Sequence, residues 1–273
     1  MLQLLTVHFL RAHSTRATAS GESPQMTPTC GEGAKNSTLM GLWDGRREGP
    51  GMWKWRHYFE IYERHFARFR GTRVRILEIG VFSGGSLCAW RQYFGPQAIV
   101  YGLDLSPLTK VYEKHPAYGS PDRIFIGSQS NVSVWDAVRR EAPGGTLDII
   151  LDDGAHASRF QIATLNITFD TLLAPGGVYL CEDIVQSWYG NAFHEYVWER
   201  FLSEKNGGLS SPRPMPGGKV ARVRTREARI VAHVTFYIYV IVIEKRSRPL
   251  NQLSSEKHGT VWQPQGKFHG FFG

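Results

Sequence analysis

Two stretches constrain this chain most: Val74-Arg-Ile-Leu-Glu-Ile-Gly-Val-Phe-Ser-Gly-Gly-Ser86 and Leu147-Asp-Ile-Ile-Leu-Asp-Asp-Gly-Ala-His156. Each is a short apolar run that stops at carboxylates and glycines. A parallel strand buried on both faces reads this way where it delivers polar groups to the sheet edge. In an open α/β sheet, ligands bind outside the carboxyl ends of the strands. The two stretches therefore aim a glycine loop, several acids and one histidine into a common crevice.

The rest of the chain fits that architecture. Its 273 residues hold one large α/β domain with extensions, or at most two small domains. Residues 1–50 are rich in Gly, Ser, Thr and Pro and are expected to form a flexible tail. The folded domain is expected over 51–248, with order beginning near Met52, and 249–273 reads as an irregular tail. Trp55, Tyr58, Phe59, Tyr62, Phe66 and Phe69 recur at helical spacing. Such a stripe reads as core packing, and His57 or Tyr58 lining a pocket is the other reading.

Strands and helices then alternate. Strands are expected at 74–79, 99–103, 123–126, 147–151 and 178–181. Helices are expected at 84–94, 130–140 and 160–173, the last closed by Ala174-Pro-Gly-Gly177, and Phe193, Tyr196, Val197 and Phe201 mark another. Residues 207–228 read as a loop. Residues 230–243 read either as one long strand or as two antiparallel strands turning near Tyr237-Ile238, where no Gly, Asn or Asp marks the break. The alternation implies right-handed crossovers and a mostly parallel sheet.

Charge excludes little. Lys and Arg outnumber Asp and Glu by 32 to 24, a net of +8 gathered loosely at 68–75, 219–229 and 245–248. This reads as a solvated basic surface. No basic motif interleaved with aromatics is present, and no nucleic-acid partner is expected. Cys30, Cys88 and Cys181 form no metal or redox pair motif and suit a reducing compartment. No apolar run approaches the ~20 residues of a membrane span. The first 21 residues carry two arginines and no acid. They read equally as an organelle transit peptide or as an untargeted tail, so cytoplasmic and organellar locations both stand.

The first constellation is a nucleoside site. Glu78-Ile-Gly80 and Ser83-Gly84-Gly85 place glycines at a strand-to-helix turn, where side chains would keep a ligand off the backbone. The dinucleotide pattern Gly-x-Gly-x-x-Gly is absent, and so is the lysine of a P-loop. Asp104 closes the second strand, where a carboxylate can accept the hydroxyls of a ribose. Glycine loop, Asp104 and the Pro-Gly-Gly before the fifth strand together resemble the class I S-adenosylmethionine-dependent methyltransferases over residues 74–245. That resemblance implies a Rossmann-like α/β fold, a seven-stranded sheet of order 3-2-1-4-5-7-6 with flanking helices. It further implies that Glu78 and Gly80 lie near the methionine part of the cofactor, that Asp104 holds the ribose, and that Ser128 and Gln129 flank the adenine.

The second constellation is acidic. Asp152-Asp153 end the fourth strand and Glu182-Asp183 the fifth, its neighbour in that order. Like charges gathered so closely ask for a neutralising ion, and all-oxygen donors suit Mg²⁺. Asp152 reads equally as a helix cap or loop anchor, and His156 as a satisfied loop histidine. In the functional reading His156 removes a proton from an acceptor hydroxyl, which then attacks the sulfonium methyl in line. The wording Asp152-Asp-Gly-Ala-His156 and Ala174-Pro-Gly-Gly-Val-Tyr-Leu-Cys-Glu-Asp-Ile184 is similar to the metal-dependent sugar O-methyltransferases of macrolide biosynthesis, the macrocin and mycinamicin type. That resemblance implies Asp153, Glu182 and Asp183 as metal ligands and His156 as general base. The expected partner is a small hydroxylated acceptor or glycoside, read by residues 52–62, 186–194 and 207–228, and a homo-oligomer stays open. A nitrogen or protein acceptor and a non-catalytic cofactor-binding or assembly protein stand as alternatives.

Overall fold

The computed structural model describes residues 37–113, 121–184, 192–202, 213–215, 218–256 and 258–259. Its frame is a seven-stranded sheet. Five parallel strands come first: β1 (Arg75–Ile79), β2 (Ile99–Asp104), β3 (Arg123–Ile126), β4 (Leu147–Asp152) and β5 (Leu173–Cys181). Two more, β8 (Val231–Tyr237) and β9 (Val240–Lys245), add antiparallel at the β5 edge, and the order is β3-β2-β1-β4-β5-β9-β8. That is the expected 3-2-1-4-5-7-6 order with the last two strands renumbered. A smaller sheet pairs β6 (Arg213–Met215), β7 (Gly218–Arg222) and β10 (Gln252–Glu256).

Helices cover both faces. On one lie α1 (Leu39–Asp44), α2 (Tyr58–Phe66) and α3 (Gly85–Phe94). On the other lie α4 (Val132–Glu141), α5 (Ser158–Thr168) and α6 (Ala192–Val197), which runs into a π turn at Trp198–Leu202. The short α7 (Arg226–Ile230) leads into β8. The aromatic stripe packs as the helical spacing requires. Tyr62 meets Trp90 edge-on at 5.2 Å, and Phe66 meets it at 5.8 Å. Tyr58, Phe59, Tyr62, Phe66, Trp90 and Phe94 are all buried, each contributing about 2–3 kcal/mol through apolar area removed from water.

Strand parity assigns the polar residues to faces. In β1, Ile76 packs toward α2 and α3 and Leu77 toward the opposite core, so Glu78 falls on the α2–α3 side. In β4, Ile149 and Leu151 face that side too, which puts Asp153 there and Asp152 opposite. In β5, Val178 and Leu180 do the same for Glu182. Three carboxylates thus converge on the α2 side of the sheet edge.

Several boundaries differ from expectation. The N-terminal segment is ordered before Met52: Thr38 caps α1 through Gly41 N, and Leu39 is buried in the core. Residues 1–36 lie outside the described residues. α5 ends at Thr168, and Ala174-Pro-Gly-Gly177 lies inside β5 instead of closing a helix. Leu147 pairs with Leu173, the register then shifts, and Gly176 at φ +79° accommodates the irregularity. The Pro-Gly-Gly signal marks a bulge. The ambiguous 230–243 segment is two strands, and Tyr239, at φ +62°, takes the left-handed position usually left to Gly or Asn. The region read as a loop contributes β6, β7 and α7, and the tail beyond Pro249 contributes β10. These elements are short, β6 and β10 are exposed, and little periodic pattern betrays them. Among the described residues, no helix is long and apolar enough to cross a membrane.

Candidate active site

The glycine turn after β1 is built for close approach. Gly80 sits at φ +90°, and a Cβ there would lie 2.1 Å from the Asp153 carbonyl oxygen. Gly80 N donates to Leu103 O (2.8 Å) and Asp153 N to Ile79 O (3.1 Å), so the loops after β1, β2 and β4 are locked together. Gly80→Ala must therefore move the acidic loop or strain its own backbone. A loss of at least about 2 kcal/mol in denaturant unfolding is expected, and wild-type stability would refute this packing.

Asp104 braces the same turn. Its Oδ2 accepts from Val81 N (2.9 Å) and Phe82 N (3.1 Å), and its Oδ1 from Ser106 N (2.8 Å). A carboxylate has about four acceptor sites, so one remains for a ligand hydroxyl. Gly84 takes φ +74° beneath the ring of Tyr112. Ser83 is half-buried at this turn, close to Gly51. At the start of α3, Gly85 N is already used, donating to Gly51 O (3.1 Å).

Three expected cofactor contacts have protein partners. Gln129 is buried. Its amide nitrogen donates to Asp152 Oδ1 (3.0 Å) and Thr164 Oγ1 (2.9 Å), and its Oε1 accepts from Ala155 N (2.9 Å). With its side chain spent on the β4 loop, Gln129 is a strut, and only its backbone is left to flank an adenine. Ser128 is half-buried and pairs with the Ser130 hydroxyl at 2.9 Å. Glu78 is fully buried. It accepts from Trp90 Nε1 (2.9 Å) and Lys54 Nζ (3.1 Å), so its carboxylate is engaged with protein groups. Burial raises its pKa, with Lys54 opposing.

Lys54 is the residue that sequence reasoning missed. Its ammonium is buried among three carboxylates: Asp153 Oδ2 at 2.5 Å, Glu182 Oε2 at 2.9 Å and Glu78 Oε1 at 3.1 Å. Burial works against the cation, but Glu182 and its fellow acids outweigh it and hold Lys54 well above the ordinary lysine value. Burial also pushes Glu182 up to about 8, with Lys54 opposing. The other oxygen of Glu182 accepts from the Tyr62 hydroxyl.

Asp152 faces the opposite core, as parity requires. It accepts from Tyr179 OH (2.9 Å) and Gln129, and burial raises it to about 6. It anchors the loop, as one of its alternative readings had it.

Outside the lysine cluster lies a second, more open group. Asp153 Oδ1, His156 Nε2 and Asp183 Oδ2 all lie within 4.8 Å of one another. His156 Nε2 is 4.0 Å from Asp153 and 3.9 Å from Asp183. Tyr58 OH donates to Asp183 Oδ1 at 2.6 Å, fixing which oxygen faces His156. Burial and the bond to Asp183 raise the Tyr58 pKa, so it remains a donor. His156 (φ +52°) and Asp183 (φ +49°) both take left-handed backbone, a strain that concentrates at functional sites. Of the expected set, the structure joins Asp153 and Asp183 to His156, and draws Glu182 inward to Lys54 and Tyr62.

Aromatic side chains stand beside this group. Trp55 and Tyr239 are exposed, with ring centroids 6.2 Å apart. Tyr239 O accepts from Ile184 N (3.0 Å), next to Asp183, and His57 Nε2 pairs with Ile238 O at 3.0 Å. A cavity of about 430 Å³, lined by Trp43, Arg46, Pro50 and Arg56 among others, lies along the segment before Trp53. Of the regions expected to read the acceptor, 186–191 and 207–212 lie outside the described residues.

No protein-family model matches the chain. It is 36% identical over 154 residues to the 8-demethyl-8-(2-methoxy-alpha-L-rhamnosyl)-tetracenomycin-C 3'-O-methyltransferase of Streptomyces olivaceus, covering 52% of this chain and 36% of that one. It is 33% identical over 141 residues to the mycinamicin VI 2''-O-methyltransferase of Micromonospora griseorubida, covering 49% and 33%. The matched region is thus about a third of each relative's length. Among solved structures, the MycE methyltransferase from the mycinamycin biosynthetic pathway in complex with Mg, SAH and mycinamycin VI is similar. Its TM-score is 0.50 at 25% identity, over 70% of this chain and 46% of that one. A second crystal form of MycE with Mg and SAH has a TM-score of 0.56 at 24% identity and shows the shared fold. The sheet is that of class I methyltransferases, and the sequence kinship is with sugar O-methyltransferases.

Proposed function

We propose that this chain is an S-adenosylmethionine-dependent, Mg²⁺-assisted O-methyltransferase acting on a hydroxyl of a glycosylated small molecule. The observation that carries the proposal is the meeting of Asp153, His156 and Asp183 at the ends of β4 and β5, against the glycine turn of β1. Relatives with that chemistry in their names, and MycE with Mg and SAH bound, support it.

The residues fit both groups. Two partly exposed carboxylate oxygens suit Mg²⁺, which commonly takes one or two protein carboxylates and keeps waters. Gly80 lets the Asp153 loop close onto the β1 turn, and Asp104 keeps an acceptor site for a ribose hydroxyl. Leu105 follows Asp104 and is exposed. It adjoins Ser128 through the bond from Gly127 N to Asp104 O (2.9 Å) and offers the apolar surface a base needs. When bound, the ion acidifies an acceptor hydroxyl, and the donor presents its methyl on a sulfonium.

The chain's own groups do the rest. His156 Nε2, 4.0 Å from Asp153 and 3.9 Å from Asp183, accepts the hydroxyl proton. Tyr58 keeps Asp183 turned toward the histidine. Trp55 and Tyr239 give the acceptor an apolar face to rest on, with hydroxyls directed at the acids. The unit assigned to this activity includes α1, because Leu39 completes its core.

The test is methyl transfer from radiolabelled S-adenosylmethionine to a panel of rhamnosides and other hydroxylated glycosides. Transfer is expected with Mg²⁺, to disappear on chelation, and to return on adding the ion back. Turnover that survives thorough chelation removes the metal from the mechanism. No heat with S-adenosylmethionine at high protein concentration rejects the reading as a whole.

A further inference from the structure

We propose that Glu182 is not a metal ligand in this chain: Lys54 is a built-in cation for the inner acids, and Asp153 with Asp183 alone supplies the protein's bonds to a divalent ion. This rests on the metal-assisted reading above and narrows it. Each Glu182 oxygen already accepts a bond inside the protein, one from Tyr62 and the other from Lys54 at 2.9 Å, and the residue is fully buried. Strand parity aims it into the α2 face beneath Lys54, whereas Asp183, on a left-handed turn, meets the Tyr58 hydroxyl and joins the outer group with His156. Lys54 also divides Asp153, holding Oδ2 at 2.5 Å and leaving Oδ1 toward His156. A divalent ion drawn inward to Glu182 would come against the buried ammonium, so like-charge repulsion keeps the ion on the outer side. Tyr58 does for Asp183 what Lys54 does for Asp153, leaving one oxygen of each acid for the ion, and both act as positioning residues.

The experiment uses the full chain and Mn²⁺ as the probe, with free ion counted by electron paramagnetic resonance. Asp183→Asn is expected to weaken binding by about tenfold or more, and Glu182→Gln to stay within about threefold of wild type. Because Glu182→Gln disturbs a buried cluster and can fail to fold, water oxygens on Mn²⁺ are also counted in the unmutated protein by ¹⁷O double resonance. Two carboxylates leave about four waters on an octahedral ion, and a third leaves about three. About four waters support the proposal. About three waters, or a Glu182→Gln loss matching that of Asp183→Asn, overturn it while leaving the metal-assisted reading intact. No Mn²⁺ binding by wild type overturns both.

Discussion

Lys54→Met is expected to lower the melting temperature by about 10 °C near neutral pH. Removing one member of a buried charge cluster costs about 3–5 kcal/mol, and each kcal/mol is worth about 2–4 °C in a domain of this size. Methionine keeps the stem's packing and deletes only the charge, leaving Glu78, Asp153 and Glu182 facing one another. The variant can relieve this by taking up protons. Burial already pushes Glu182 up to about 8 in the presence of Lys54, and losing the lysine raises it further. An acid raised in the folded state contributes stability below its unfolded pKa and loses it as pH rises toward the folded value. The wild type shares that loss up to about 8, so the deficit should be smallest in acid and widen, by up to about 1.4 kcal/mol per pH unit, only above about pH 8. Calorimetric melting at several pH values measures this. A wild-type melting temperature at pH 8 would show that the ammonium is not the counter-charge the geometry makes it.

His156→Asn is expected to cost about 10²–10⁴ in turnover, the usual worth of a positioned general base. Asparagine is the substitution of choice because His156 takes φ +52°, and Asn tolerates left-handed backbone better than Ala. The carboxylate oxygens of Asp153 and Asp183 remain, so Mn²⁺ affinity and donor affinity should move little. The pairing of lost turnover with retained binding separates proton removal from scaffolding. Steady-state kinetics with Mn²⁺ and donor titrations decide it, and near-normal turnover would demote His156 to a loop residue.

The sheet was legible because each parallel strand is an apolar run stopped by a polar edge. Asp153, His156 and Asp183 were legible for the same reason. The direction of Glu182 was also readable in principle: alternate residues of β5 face opposite cores, and Glu182 shares parity with Val178 and Leu180. Lys54 was not legible. In Met52-Trp-Lys-Trp-Arg56 a lysine reads as an exposed residue between aromatics, and only the fold brings its partners to it. Ala174-Pro-Gly-Gly177 misled because a helix stop and a β-bulge both call on glycine at positive φ. The turn at Tyr239 misled the other way, since a tyrosine held there by the Ile184 bond carries no turn signature.

Lys54 finds its partners 24, 99 and 128 positions down the chain. During synthesis it leaves the ribosome long before Asp153 and Glu182 exist, and it stays hydrated until β1, β4 and β5 are side by side. Its ion pairs are thus late contacts, costly in loop closure. Contacts absent from the folding nucleus act on the escape rate from the native basin, so the lysine's stabilising effect is a longer lifetime of the assembled centre, with little change in the speed of its assembly.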